Sequence, residues 1–201
     1  LSRLKYKNYN VIALWEQFDH PVNVYSSIDH CEERAEYIRH GTKWKDIEAN
    51  IKTLSLEPNV NLQISSTISM LNYTTLEQFY KKMLSAGLMP GGDWQLNPVS
   101  NPSWISVYNL PQEFKDKGRQ GIQNIIDFIR GDEKIVRTFR KRNYNFEHTV
   151  SNIKAFPNLV DADGMGFDAV KLEFVAETTR LDKLRNENFV KVFPELRELY
   201  E

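Results

Sequence analysis

Cysteine is almost absent from this chain: of 201 residues, only Cys31 carries a thiol. One thiol excludes an intramolecular disulfide and fits a reducing compartment, so the cytoplasm is the expected location. An excess of charge of either sign is also lacking. The formal net charge is -1, so no global field draws the chain to nucleic acid or to an anionic membrane, and neither is an expected partner. Apolar runs fall far short of a membrane span. The opening residues, LSRLKYKNYN, have no apolar core of the kind a secretory signal needs. No repeat and no low-complexity segment occurs. What remains is a chain with 41% hydrophobic and 12% aromatic residues, enough for a real core. Its length fits one ordinary domain, or a small domain plus an appendage.

Periodicity assigns most of the chain. Val11, Ile12, Leu14, Trp15 and Phe18 form a helical stripe that Asp19-His20-Pro21 stops. Residues 22–28 read as a short strand. Residues 32–56 read as helix in two pieces broken at Gly41, with Trp44, Ile47, Ile51 and Leu54 on one face. Residues 60–69, VNLQISSTIS, alternate apolar and polar positions as a strand does. Thr74-Thr75-Leu76-Glu77 reads as a capping box opening a helix that Gly87 ends. Residues 94–99 give a third strand, residues 104–107 a fourth extended piece, and Pro111 opens a helix to about Ile129. Beyond Asp132 the chain turns helical and loop-rich, with one further possible strand at 169–175. The expected architecture is α/β: half of a partial (βα) barrel with three or four parallel strands and outer helices, plus a helical C-terminal appendage. The expected division is 1–131 for the barrel half and 132–201 for the tail.

Polar residues at the carboxyl ends of parallel strands are where such folds place ligand chemistry. The stretch 22–41, VNVYSSIDHCEERAEYIRHG, has that form: a strand with a polar end, a turn at Asp29 and His30, then a charged helix carrying Arg39. Ser27-Ile28-Asp29 followed by Glu33 to Arg39 resembles the fourth strand and next helix of radical S-adenosylmethionine enzymes, in particular their SPASM/twitch branch. Residues 64–72, ISSTISMLN, are similar to that branch's fifth strand, and Asn97-Pro98-Val99 with residues 104–107 and Leu110-Pro111 to its sixth strand and exit. The tail, RLDKLR at 180–185 through Phe193-Pro194-Glu195-Leu196, resembles the end of twitch-containing proteins often encoded by phages and marine microbes.

The resemblance implies S-adenosylmethionine as cofactor, held by Ser27, Asp29 and Arg39, in a pocket shaped by Thr67, Asn72 and Asn97. In a full-length parent, a [4Fe–4S] cluster would cleave that cofactor reductively. The 5′-deoxyadenosyl radical would then take a hydrogen from a peptide or small-molecule substrate. The family's CxxxCxxC loop, and with it the cluster, has no place in this chain, and His30 stands where the family usually has glycine. The chain begins at Leu1 rather than methionine, so the expectation is the C-terminal half of such an enzyme, itself not catalytic. The alternative is a cluster-less binding or assembly module derived from that fold. Either way an exposed sheet edge is expected to drive self-association or to receive the missing N-terminal half, unless the chain's own C-terminal segment hides it.

Residue types alone leave blander roles open. Asp29 can cap the following helix, with Ser27 a spacer. Arg39 can pair at the surface with Glu33, Glu36 or Asp46. Thr67, Asn72 and Asn97 can be an ordinary strand hydroxyl and turn residues. Cys31 reads as a small apolar filler, and His30, Cys31 and His40 lack the spacing of a zinc site. Gly91-Gly92 is not a phosphate loop, and residues 161–164 lack the glutamate that closes a calcium loop. The basic-aromatic cluster RTFRKR at 137–142, with Tyr144 and Phe146, reads as a solvated helix face.

Overall fold

The computed structural model describes residues 3–89, 92–142, 146–162 and 164–201. Gly91, Tyr144 and Asp163, each part of a stretch considered above, lie outside the described residues. A small antiparallel hairpin, β1 (Lys5–Tyr6) and β2 (Tyr9–Asn10), leads into a short helix, α1 (Val11–Trp15). The framework that follows is a three-stranded parallel sheet of β3 (Val22–Ser27), β4 (Val60–Ile68) and β5 (Trp94–Pro98), ordered β3-β4-β5. Two helices, α2 (Glu32–Ile38) and α3 (Trp44–Leu56), connect β3 to β4, and α4 (Leu76–Ser85) connects β4 to β5. This is the strand–helix–strand order that parallel pairing requires.

The even-numbered strand residues face the helices. Ser26, Ile28, Ile64, Ser66, Ile68 and Trp94 are buried there, in one core with Ile47, Ile51, Phe79, Tyr80 and Met83. A serine in that core is costly without a partner; the Ser26 hydroxyl has none among the described residues, whereas Ser66 is fully engaged. The Ser66 hydroxyl donates to the Ile28 carbonyl and accepts from the Trp94 indole N–H at 2.7 Å. The odd-numbered residues form the opposite face: Asn23, Tyr25 and Ser27 from β3, Asn61, Gln63, Ser65 and Thr67 from β4, Gln95 and Asn97 from β5. That face carries no aliphatic and no charged side chain. Parallel sheets normally bury both faces under apolar cover, so a face made of carboxamides and hydroxyls is the feature of this fold that calls for a function.

After β5, residues 103–105 and 107–109 form two 3-10 turns, which corrects the fourth extended piece expected at 104–107. Asn109 donates to the Ser103 carbonyl and ties the turns together. Their contact with the sheet is a bridge between Ser69 and Ser106. The long helix α5 (Gln112–Gly131) packs on α4 and on the turn that holds Tyr73. Gly118 makes that approach possible, because a Cβ there would sit 2.2 Å from the Tyr73 ring.

The helices α6 (Glu133–Arg142), α7 (Phe146–Val160), α8 (Phe167–Arg185), α9 (Phe189–Val192) and α10 (Arg197–Tyr200) complete the helical C-terminal region. The strand expected at 169–175 is the middle of α8. The alternation of AVKLEFV mimics a strand, but no glycine or proline interrupts residues 167–185 and the helix runs through. The capping box at Thr74–Glu77 does not form. A 3-10 turn, Tyr73–Thr75, precedes α4, Thr75 caps nothing with its side chain, and Glu77 instead binds Lys81 and Asn124.

Candidate functional site

The carboxyl ends of the strands hold a hydrogen-bonded cluster centred on Asp29, which is 3% exposed. Its Oδ1 accepts from the Thr67 main-chain N–H at 2.8 Å and from Arg39 Nη2 at 3.1 Å, and its Oδ2 accepts from Arg39 Nε at 2.8 Å. Arg39 reaches back because α2 ends at Ile38. Arg39 is the cap, with φ -115 and ψ 71, outside helical geometry. The turn continues to Gly41, whose φ of +86 suits glycine. The acids expected as blander partners, Glu33, Glu36 and Asp46, are therefore not the ones Arg39 meets. A side-on guanidinium fork on a buried carboxylate is a strong, oriented pair, and among the described residues it leaves Arg39 Nη1 uncommitted.

Asn72 locks the ends of β3 and β4 together. Its side-chain amide donates to the Asp29 and Thr67 carbonyls at 3.0 and 2.9 Å and accepts from the Ser69 N–H at 2.8 Å. With 0% exposure it positions the cluster and offers nothing to a ligand. The structure thus brings Asp29, Arg39, Thr67 and Asn72 together. Ser27 and Asn97 flank Ser65 on the polar face: Ser27 is the register partner of Ser65, and Asn97, itself the register partner of Thr67, donates from Nδ2 to the Ser65 hydroxyl at 2.9 Å. The hydroxyls of Ser27 and Thr67 have no partner among the described residues.

A cavity of about 240 Å³ opens beside the cluster, lined by Asp29, Tyr37, Thr67, Trp104 and Arg185 among others. Its far wall is α8, which pattern reading did not associate with the site. That helix and the segment that follows it are fastened to α2 by several contacts. The Tyr37 hydroxyl donates to Asp182 at 2.9 Å, and Asp182 also accepts the Phe189 N–H at 2.7 Å. Arg185 donates to the Tyr37 carbonyl, and Arg34 forms a two-pronged pair with Glu195. The Tyr37 ring meets Phe193 edge-on at 5.2 Å. Burial, then the neighbouring Asp182, pushes the Tyr37 phenol upward.

His30 is buried next to the cluster. Its Nδ1 accepts the Cys31 N–H at 2.9 Å, which assigns the ring proton to Nε2, 3.1 Å from Thr75 Oγ1. Burial, then the charge of Arg34, lowers its pKa from 6.5 to about 3. It is a neutral core residue. Burial also pushes the Cys31 thiol up to about 11, which makes it a poor nucleophile and ligand. No group of three or more histidine, cysteine or acidic side chains that could hold a metal ion occurs among the described residues. No helix of the described residues is long and apolar enough to cross a membrane.

The donor set fits part of S-adenosylmethionine. The free Arg39 Nη1 suits a carboxylate, and the Ser27 and Thr67 hydroxyls suit a diol. The Asp29 carboxylate is already saturated, and the cavity holds a fragment of such a molecule rather than its whole. A [4Fe–4S] cluster does not fit residues of this chain, since Cys31 is its only thiol and is buried. No family model matches the sequence, and no curated protein or solved structure matches it either.

Proposed function

We propose that the chain is the C-terminal, cofactor- and substrate-facing half of a radical S-adenosylmethionine enzyme of the SPASM/twitch type. The observation that carries the reading is the polar, uncharged face of the parallel sheet, opposite its helix-covered face. A partial (βα) barrel explains such a face, because it would line the lumen. The strand order leaves β3 at an edge, where the preceding strands of a complete barrel would pair. In that enzyme Arg39 Nη1 would hold the carboxylate of S-adenosylmethionine, and Ser27 and Thr67 its ribose. Asp29 and Asn72 would orient those groups, and Asn97 would shape the pocket. The cofactor would supply the radical chemistry, with the cluster held by residues outside this chain.

The coding sequence upstream of Leu1 tests this. A CxxxCxxC motif there, with 5′-deoxyadenosine formed by the reconstituted long protein and lost in Arg39→Ala, is the expected outcome. Translation beginning at Leu1 would overturn the enzyme reading. A second reading, a cluster-less binding module, is favoured by one observation: Asp29 and Arg39 already satisfy each other.

A further inference from the structure

We propose that the groove between the polar sheet face and α7 binds a neutral, polyhydroxylated ligand of mono- or disaccharide size. The groove has a volume of about 470 Å³, within the range of pockets that enclose small molecules. It lies toward the amino-terminal half of the strands, on residues the cofactor reading does not use. Gln63 and Gln95 reach it from neighbouring strands, Asn152 and His148 from α7, and Tyr25 from β3. None of these five side chains has a hydrogen-bond partner among the described residues.

The chemistry of the lining selects the ligand. A carboxamide offers a donor and an acceptor at fixed spacing, and a sugar hydroxyl both donates and accepts, so adjacent hydroxyls match it. Tyr25 is 61% exposed and presents a flat, amphipathic ring, a platform for the C–H face of a pyranose. The lining contains no lysine or arginine, so a phosphate or carboxylate would find no counter-charge. Among the described residues its one acidic side chain is Asp93, already hydrogen-bonded to Thr149, and its charge disfavours anions. Leu96, Ile153 and Leu159 add apolar patches to the lining, which suit the C–H faces of a sugar, whereas a wholly apolar ligand would also strip water from the uncommitted polar groups without replacing their hydrogen bonds.

The ligand becomes a substrate only under the barrel-half reading; its binding does not depend on that reading. Saturation-transfer NMR on the full 201-residue chain provides the test, with D-glucose, maltose, cellobiose and N,N′-diacetylchitobiose as probes. Transfer to at least one neutral sugar is expected. Tyr25→Ala and Gln95→Ala should each weaken it about tenfold, the loss of one good contact, with unchanged circular dichroism. Absence of transfer to every sugar would overturn the proposal. So would undiminished transfer in both variants, or stronger competition by glucose 6-phosphate or triglycine. Titration of wild type and Arg39→Ala with S-adenosylmethionine reads the cofactor site separately, so failure of one proposal is distinguishable from failure of the other.

Discussion

Asn72 uses every polar atom of its amide on the main chain at the ends of two strands. Asn72→Ala would leave the Ser69 N–H and the Asp29 and Thr67 carbonyls short of partners inside the protein. At roughly 1 kcal/mol or more for each unsatisfied group, the loss is expected to be about 3 kcal/mol, read as a lower urea midpoint. His30 makes a second prediction through its charge. Its folded pKa, about 3, lies below the ordinary 6.5, so the neutral ring contributes stability in full above about pH 6.5. That contribution fades as pH falls toward 3, because only the unfolded chain takes up the proton readily. Between pH 6.5 and 5, unfolding free energy should fall by up to about 1.4 kcal/mol per unit from this group, and His30→Gln should flatten that slope. The residue scale was the least legible in the sequence. Asp29 and Arg39 were singled out separately, but helix spacing offers Arg39 the acids three to seven residues away. Only the end of α2 at Ile38 turns its side chain back to the strand.

Elements were far more legible than their contacts. The β-branched and alternating runs placed β3, β4 and β5 to within one residue at each end, and Gly41 marked the break between α2 and α3. Runs where apolar alternation arises inside another structure misled: Trp104 to Val107, held in 3-10 turns, and Ala169 to Val175, inside α8. That α8 covers the strand ends has no local signature at all. The covering depends on Asp182 accepting from both Tyr37 and Phe189. Tyr37→Phe removes one of those bonds to a charged acceptor and should cost about 2 kcal/mol. Hydrogen exchange checks it: amides of α8 and α9 should lose protection while those of β4 keep theirs.

At the scale of the whole molecule, α7 packs beside β5 at one side of the sheet, while among the described residues β3 has no strand on its other side. Val22 and Ile28 donate their N–H groups to β4 neighbours, so alternation points those of Asn23, Tyr25 and Ser27 outward. An edge of that kind invites pairing with another chain. Sedimentation should show concentration-dependent association, and Asn23→Pro, which removes an outward donor and no ladder bond, should abolish it.

The clasp between α2 and the tail has a consequence for how the protein is made. Tyr37 meets Asp182 across 145 positions, and Arg34 meets Glu195 across 161. Contacts so distant in sequence form late and slow the folding of the part they close. During synthesis the sheet and its first helices emerge and pair long before their cover exists, so the pocket at the strand ends stays open until α8 and the segment carrying Glu195 have left the ribosome. Any ligand of that pocket therefore meets it first as an open shelf, and the tail then folds down over the occupied or empty shelf.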